Sequence, residues 1–149
     1  MIALGSDHCG VELKSRIIEH LTALGIQTVD CGTNSPERVD YPVYAKKVAQ
    51  LVQSGKCDCG IVICGTGIGV SIAANKFRGI RCALCGNTYA ARYTRMHNDA
   101  NVLALGANVT APGYALDIVD AFLGAKFEGG RHAKRIAMIA EIEEEESKR

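Results

Sequence analysis

Ile61-Val62-Ile63-Cys64-Gly65-Thr66-Gly67-Ile68-Gly69 is the stretch on which the reading of the fold turns. A short apolar run ends abruptly in alternating glycines, which reads as a buried strand closed by a turn. The small residues that follow, at 70–76, predict a helix. The same alternation extends in both directions. Upstream, Ile2–Ser6 reads as a strand, and Val11, Leu13, Ile17, Ile18, Leu21 and Leu24 form a helical stripe stopped by Gly25. Residues 26–31 read as a second strand, and 41–54 as a helix with Val48, Leu51 and Val52 on its apolar face. Downstream come a strand at 81–85, a helix at 88–96, a fifth strand at 102–105, and helices at 112–123 and 131–146. This order predicts an α/β fold, a doubly wound, Rossmann-like sheet of five parallel strands with helices on both faces. Ligands of such sheets bind beyond the carboxyl ends of the strands, where strand order reverses. Asp7-His8, the Cys64 loop and Asn87 all stand just after strands.

Composition narrows the function. The 149 residues suit one domain, 1–149, with 48% hydrophobic and 22% charged residues. A net charge of +1 gives no strong field for a polyanion or a membrane surface. Five tyrosines, three phenylalanines and no tryptophan argue against stacking on single-stranded nucleic acid. No secretory pattern precedes Asp7, and no apolar run reaches the roughly 18 residues of a membrane span. Neither nucleic acid nor membrane is an expected partner. Seven cysteines exclude a fully paired disulfide framework. A cytoplasmic, reducing setting with free thiols is the expectation.

The glycine loop suits an anion, because backbone N–H groups at a helix start carry partial positive charge. It is not a dinucleotide fingerprint, since Val70 stands where glycine or alanine is required. Nor is it a P-loop, which needs Gly-Lys-Ser/Thr. Cys64 ends the strand facing that helix start, where a thiolate is stabilised. Cys31, Cys82 and Cys85 read as small buried hydrophobes. Cys82-Ala83-Leu84-Cys85 has redox spacing but lies in a strand, and Cys57-Asp58-Cys59 lies in a turn without the ligand cluster of a zinc site. The acidic run at 143–146 reads as a solvated helix face.

Three polar clusters remain. Asp7-His8 follows the first strand, and Asp7 alternatively reads as a helix cap. His97-Asn98-Asp99 ends a helix. Gly129-Gly130-Arg131-His132 opens the last helix, with Arg135 one turn on and on the same face as Arg131. Two guanidiniums together suit a phosphate. Anion binders, a histidine titrating near neutrality and an activatable thiol suit proton transfer on a small phosphorylated substrate.

Gly5-Ser6-Asp7-His8, Asp40-Tyr41-Pro42, the 63–69 loop, Ala73-Ala74-Asn75-Lys76, the segment from His97 to Val102, and Gly129-Gly130-Arg131-His132 together resemble the type B ribose-5-phosphate isomerases. These motifs occur in order along almost the whole chain. The resemblance implies interconversion of ribose 5-phosphate and ribulose 5-phosphate through a cis-enediolate, without metal or organic cofactor. It makes Cys64 the base. Thr66 and the amides from Gly65 through Gly67 and Ile68 to Gly69 become the oxyanion cradle. His97 becomes the ring-opening group, assisted by Asp7 or Asn98. Tyr41 would line the sugar pocket, and His8, Arg131 and Arg135 would bind phosphate. It also implies a homodimer, or a pair of dimers, with each site built from two subunits and the last helix packing on the partner.

The related galactose-6-phosphate isomerase subunits generally lack the His-Asn-Asp and Gly-Gly-Arg-His segments, which this chain has. Residues 68–74 contain no acid, which matches the branch of the family that uses cysteine as base. Asn108 stands where the family usually carries a phosphate-binding arginine. That difference implies either a substitute, Arg92 or Arg95, or a shift toward another sugar such as allose 6-phosphate or a free aldose.

Overall fold

The computed structural model describes residues 1–149. The chain runs β1 (Ile2–Ser6), a 3-10 turn (His8–Gly10), α1 (Val11–Ala23), β2 (Thr28–Asp30), α2 (Tyr41–Gln53), β3 (Cys59–Cys64), α3 (Ile68–Ala74), β4 (Cys82–Leu84), α4 (Thr88–Asn98), β5 (Val102–Gly106), α5 (Pro112–Gly124) and α6 (Arg131–Glu146). The five strands form one parallel sheet in the order β2-β1-β3-β5-β4. The alternation read from the sequence is therefore present, and strand order reverses between β1 and β3. No helix is long and apolar enough to cross a membrane.

Side chains alternate across each strand, so β3 feeds two cores. Ile61 and Ile63 join Leu4, Leu103 and Leu105 under α1 and α5. Val62 and Cys64 join Ala3, Val102 and Ala104 under α2 and α3. Large aliphatics fill the first face, each contributing about 1.5–3 kcal/mol when fully buried. Small residues line the second, which lets α2 and α3 come close to the sheet.

Element ends depart from the sequence reading for local reasons. β2 is shorter than 26–31 because it is an edge strand, paired only to β1 through Thr28, Val29 and Asp30. Cys59 is not in a turn. It opens β3 opposite Ile2. The helix after the glycine loop starts at Ile68 and not at 70, because Gly67, at φ 78°, turns the chain into it. Asn87 is the N-cap of α4, accepting the Ala90 N–H at 2.8 Å, and so has a structural task. The 143–146 run is not merely solvated: Glu143 accepts the Gly79 N–H at 3.0 Å, and Glu144 pairs with Arg78.

Lys14 breaks the polar pattern most sharply. It lies beside Leu13 and Ile17 on α1 and is only 1% exposed. Its ammonium donates to both Asp30 oxygens at 2.8 Å, to the Thr33 carbonyl at 2.9 Å and to Asn34 Oδ1 at 2.7 Å. It thereby ties the turn after β2 to α1. Lys14→Met keeps the apolar stem but strands those acceptors. Removing one partner of a buried ion pair costs about 3 kcal/mol, so the urea midpoint of Lys14→Met should fall accordingly. A midpoint equal to the parent's would contradict this role.

Candidate active site

The site is assembled where β1 and β3 end, at the reversal of strand order. Asp7 follows β1 and is nearly buried; its Oδ1 accepts the Cys9 N–H at 2.9 Å. The capping reading of Asp7 is thus correct for one of its oxygens. His8 Nδ1 accepts the Val39 N–H at 3.3 Å, which leaves Nε2 as the nitrogen able to donate.

On β3, Cys64 pairs in register with Gly106 of β5 and is buried. Its Sγ accepts the Gly67 N–H at 3.2 Å. Thr66 is exposed, and its Oγ1 accepts the Ile68 N–H at 3.2 Å. Two of the five loop amides are therefore already engaged, while those of Gly65, Thr66 and Gly69 have no partner within the chain. Ile68 and Gly69 belong to the first turn of α3. The Tyr41 ring covers Gly69 so closely that a Cβ there would lie 2.6 Å from Cζ. Asn108 donates its backbone N–H to the Gly65 carbonyl, and its amide nitrogen lies 3.0 Å from where a Gly65 Cβ would stand.

His97 and Asn98 lie on the last turn of α4, in a cleft of about 480 Å³ that also includes Tyr93, His132 and Arg135. Arg81 and Arg95 hold this helix end by donating to the carbonyls of Asn98, Asp99 and Ala100. Arg95 is therefore occupied, and Arg92 lies in a different cleft, with Asp120 and Lys126. Arg131 and Arg135 form no hydrogen bond or ion pair within the chain, and both are exposed.

The structure brings Asp7, His8, Tyr41, Cys64 and the glycine loop to one edge, and His97, Asn98 and Arg135 to another. No hydrogen bond, ion pair or ring contact joins the two groups within one chain. Leu84 lies between them: it lines the His97 cleft, and its Cδ1 would meet a Gly67 Cβ at 2.5 Å.

Cys9, Glu128 and His132 escaped the sequence reading as individual site groups. The rings of His97 and His132 stack 4.0 Å apart, and Glu128 Oε2 lies 3.6 Å from both Nε2 atoms. Only the tertiary fold reveals this grouping; the Gly129-Gly130 turn that brings His132 back beside α4 was its one sequence signal.

The other six thiols are pushed up, chiefly by burial: Cys59 and Cys85 to about 11, Cys82 to about 12, and Cys9, Cys31 and Cys57 by less. They stay protonated at neutral pH; of the three read as small buried hydrophobes, Cys85 is buried, whereas Cys31 and Cys82 are half-buried. Burial and then the neighbouring His97 hold the His132 imidazole below its ordinary range.

A model of the ribose/galactose isomerase family matches residues 2–139. The chain belongs to that family and is an aldose–ketose isomerase. Within the family it stands with the ribose-5-phosphate isomerase B proteins. It is 53% identical to Escherichia coli ribose-5-phosphate isomerase B over 143 residues, 96% of each chain. A structure of the Clostridium thermocellum ribose-5-phosphate isomerase B superposes with a TM-score of 0.96 at 56% identity, covering 97% of both chains. That of Mycoplasma genitalium ribose-5-phosphate isomerase B, with bound ribulose 5-phosphate, gives 0.93 at 44% identity, covering 97% of this chain and 96% of that one.

A depressed histidine pKa means that the unfolded chain binds the proton more readily. The contribution of His132 is intact above about pH 6.5 and is lost as pH falls through its lower native value. Urea midpoints at pH 7.5 and 5.5 should therefore fall further apart in the parent than in His132→Gln. An equal fall in both would contradict the shift.

Proposed function

We propose that this chain interconverts ribose 5-phosphate and ribulose 5-phosphate through a cis-enediolate. The observation that carries the reading is the Gly67 N–H aimed at Cys64 Sγ, at the carboxyl end of β3 and on the reversal of strand order. Cys64 takes the proton from one carbon and returns it to the next. As charge develops on the enediolate oxygens, the unpartnered amides of Gly65, Thr66 and Gly69 receive it. The Thr66 hydroxyl, which accepts from Ile68, still has a proton to donate to the same oxygens. Tyr41 walls the sugar pocket over Gly69.

His97 opens the furanose ring by proton transfer with the ring oxygen, with Asp7 or Asn98 assisting. Arg131 and Arg135 bind the phosphate with His8 Nε2. Their guanidiniums have no internal partner, so their donors are free for a doubly charged ligand. Asn108 brings a neutral donor to the loop, so the arginine pair supplies the charge. Arg95 does not replace the missing arginine, because its Nη1 is bound to Asp99 and Ala100 and its guanidinium lies over the Phe122 ring.

A second copy of the chain completes the site, as a homodimer. In one chain Leu84 separates the Cys64 loop from the His97 cleft. Ile68 and Ile72 on α3, and Met138, Ile139 and Ile142 on α6, present apolar surface to solvent. Residues four apart share a helix face, so each helix offers a stripe for a partner.

General base catalysis contributes about 10²–10⁴-fold. Cys64→Ser should lower turnover of ribose 5-phosphate by that factor with an unchanged far-UV spectrum. The parent assayed beside it should prefer ribose 5-phosphate to allose 6-phosphate and to free ribose. Near-normal turnover by Cys64→Ser would remove Cys64 from the mechanism, and a preference for another sugar would move the substrate assignment. Sedimentation equilibrium should give a dimer for the parent and monomers without turnover for the double variant Met138→Lys, Ile142→Lys. A fully active monomer would show that one chain suffices.

A further inference from the structure

Two groups of metal-ligating side chains lie near the site: Asp7, His8 and Cys9, and His97, Glu128 and His132. In the first, Asp7 Oδ1 and His8 Nδ1 already accept backbone N–H groups. The second is unsatisfied. His132 is 5% exposed, and its Nε2 is buried with no hydrogen-bond partner. The Nε2 atoms of both histidines lie 3.6 Å from one Glu128 oxygen, too far for a good hydrogen bond. The backbone N–H of Glu128 donates to the Met96 carbonyl at 3.0 Å, which anchors this residue beside His97.

We propose that His97, Glu128 and His132 form a binding site for a divalent first-row transition ion of the zinc class. Two imidazoles and a carboxylate suit zinc, cobalt or nickel, whereas magnesium and calcium select oxygen ligands. The three donor atoms lie within 4.8 Å of one another. Around a tetrahedral ion with bonds of about 2.0–2.1 Å, ligand atoms stand roughly 3.3 Å apart. Each 3.6 Å gap therefore needs only a slight closure, and the stacked rings need to splay from their 10° interplanar angle. The remaining coordination position opens on the cleft of about 480 Å³. Arg131 and Arg135 repel a cation, which makes the site a reversible one and not a structural anchor. A bound ion takes the Nε2 lone pair of His97 out of proton transfer. This last consequence rests on the ring-opening role proposed above.

The test is a Zn²⁺ titration of the intact protein, followed through the ring resonances of its four histidines. His97 and His132 should shift together in one saturable event, while His8 and His20 stay in place. Glu128→Gln and His132→Asn, each with an unaltered His20 signal, should weaken that event at least about tenfold. Shifts at His8, or unchanged affinity in both variants, would overturn the site. So would a Co²⁺ complex whose absorption shows only thiolate ligation. Saturating Zn²⁺ should also slow cyclic ribose 5-phosphate more than an open-chain aldose phosphate. An ion held by the histidine pair with no such difference would leave the ion site standing and remove His97 from ring opening.

Discussion

The site depends on a backbone-to-backbone contact between the turn after β3 and the end of β5. A Cβ on Gly106 would stand 2.6 Å from the carbonyl carbon and oxygen of Thr66. A Cβ on Gly67 would stand 2.8 Å from the Leu105 carbonyl carbon, at a φ that L side chains rarely adopt. Glycine on both sides lets the turn settle onto the strand end. That contact sets Cys64 opposite Gly106 and brings the Gly67 N–H to its sulfur. In the base role proposed for it, Cys64 is held by strand register and a tight turn, so its position is defined before substrate arrives.

The same economy of volume explains how Tyr41 comes to cover Gly69. On the α2 and α3 face the core is built from Ala3, Ala45, Ala49, Val62, Val102 and Ala104. Gly5 extends the pattern, since a Cβ there would meet the Tyr44 carbonyl oxygen at 3.0 Å. A helix admitted this close to the sheet delivers Tyr41, at its first position, onto Gly69. Larger residues at these positions would push α2 outward and lift Tyr41 off Gly69. The opposite face is filled mainly with leucine and isoleucine under α1 and α5, and its α4 end carries the His97 cleft.

Much of this was legible in the sequence because periodicity and punctuation are local. The strand-glycine-helix transition at 61–69 and the stripe through Leu13, Ile17 and Leu21 follow from side-chain direction alone. What escaped depends on tertiary partners. Lys14 sits one position from Leu13 and looks like a solvated charge until Asp30 and the 33–34 turn close over it. Glu128 lies outside any helix and gains its place only through the α4 end. Glu143 appeared to be one of a run of acids, yet it caps the Gly79 amide. The glycine loop and three polar clusters are legible near strand and helix ends, but the sequence holds no signal for their division into two groups with Leu84 between them.

The arginines show how the same residue type divides between fold and ligand. Arg81 and Arg95 converge on the carbonyls that close α4, where cations are favoured by the helix dipole. Arg81 Nε and Nη2 and Arg95 Nη1 are engaged there and hold the α4 end that carries His97 and Asn98. Arg131 and Arg135 stand one turn apart on α6 with every donor free. A pair of unpartnered like charges on one helix face repels itself, which destabilises the isolated helix slightly. Such a pair is relieved by an anion, and a phosphate with two charges relieves it most. The binding energy gained there acts away from the reacting carbons. In the phosphate-binding role proposed for the pair, it serves to fix the sugar against the Cys64 loop, where a displacement of even about 1 Å would cost rate.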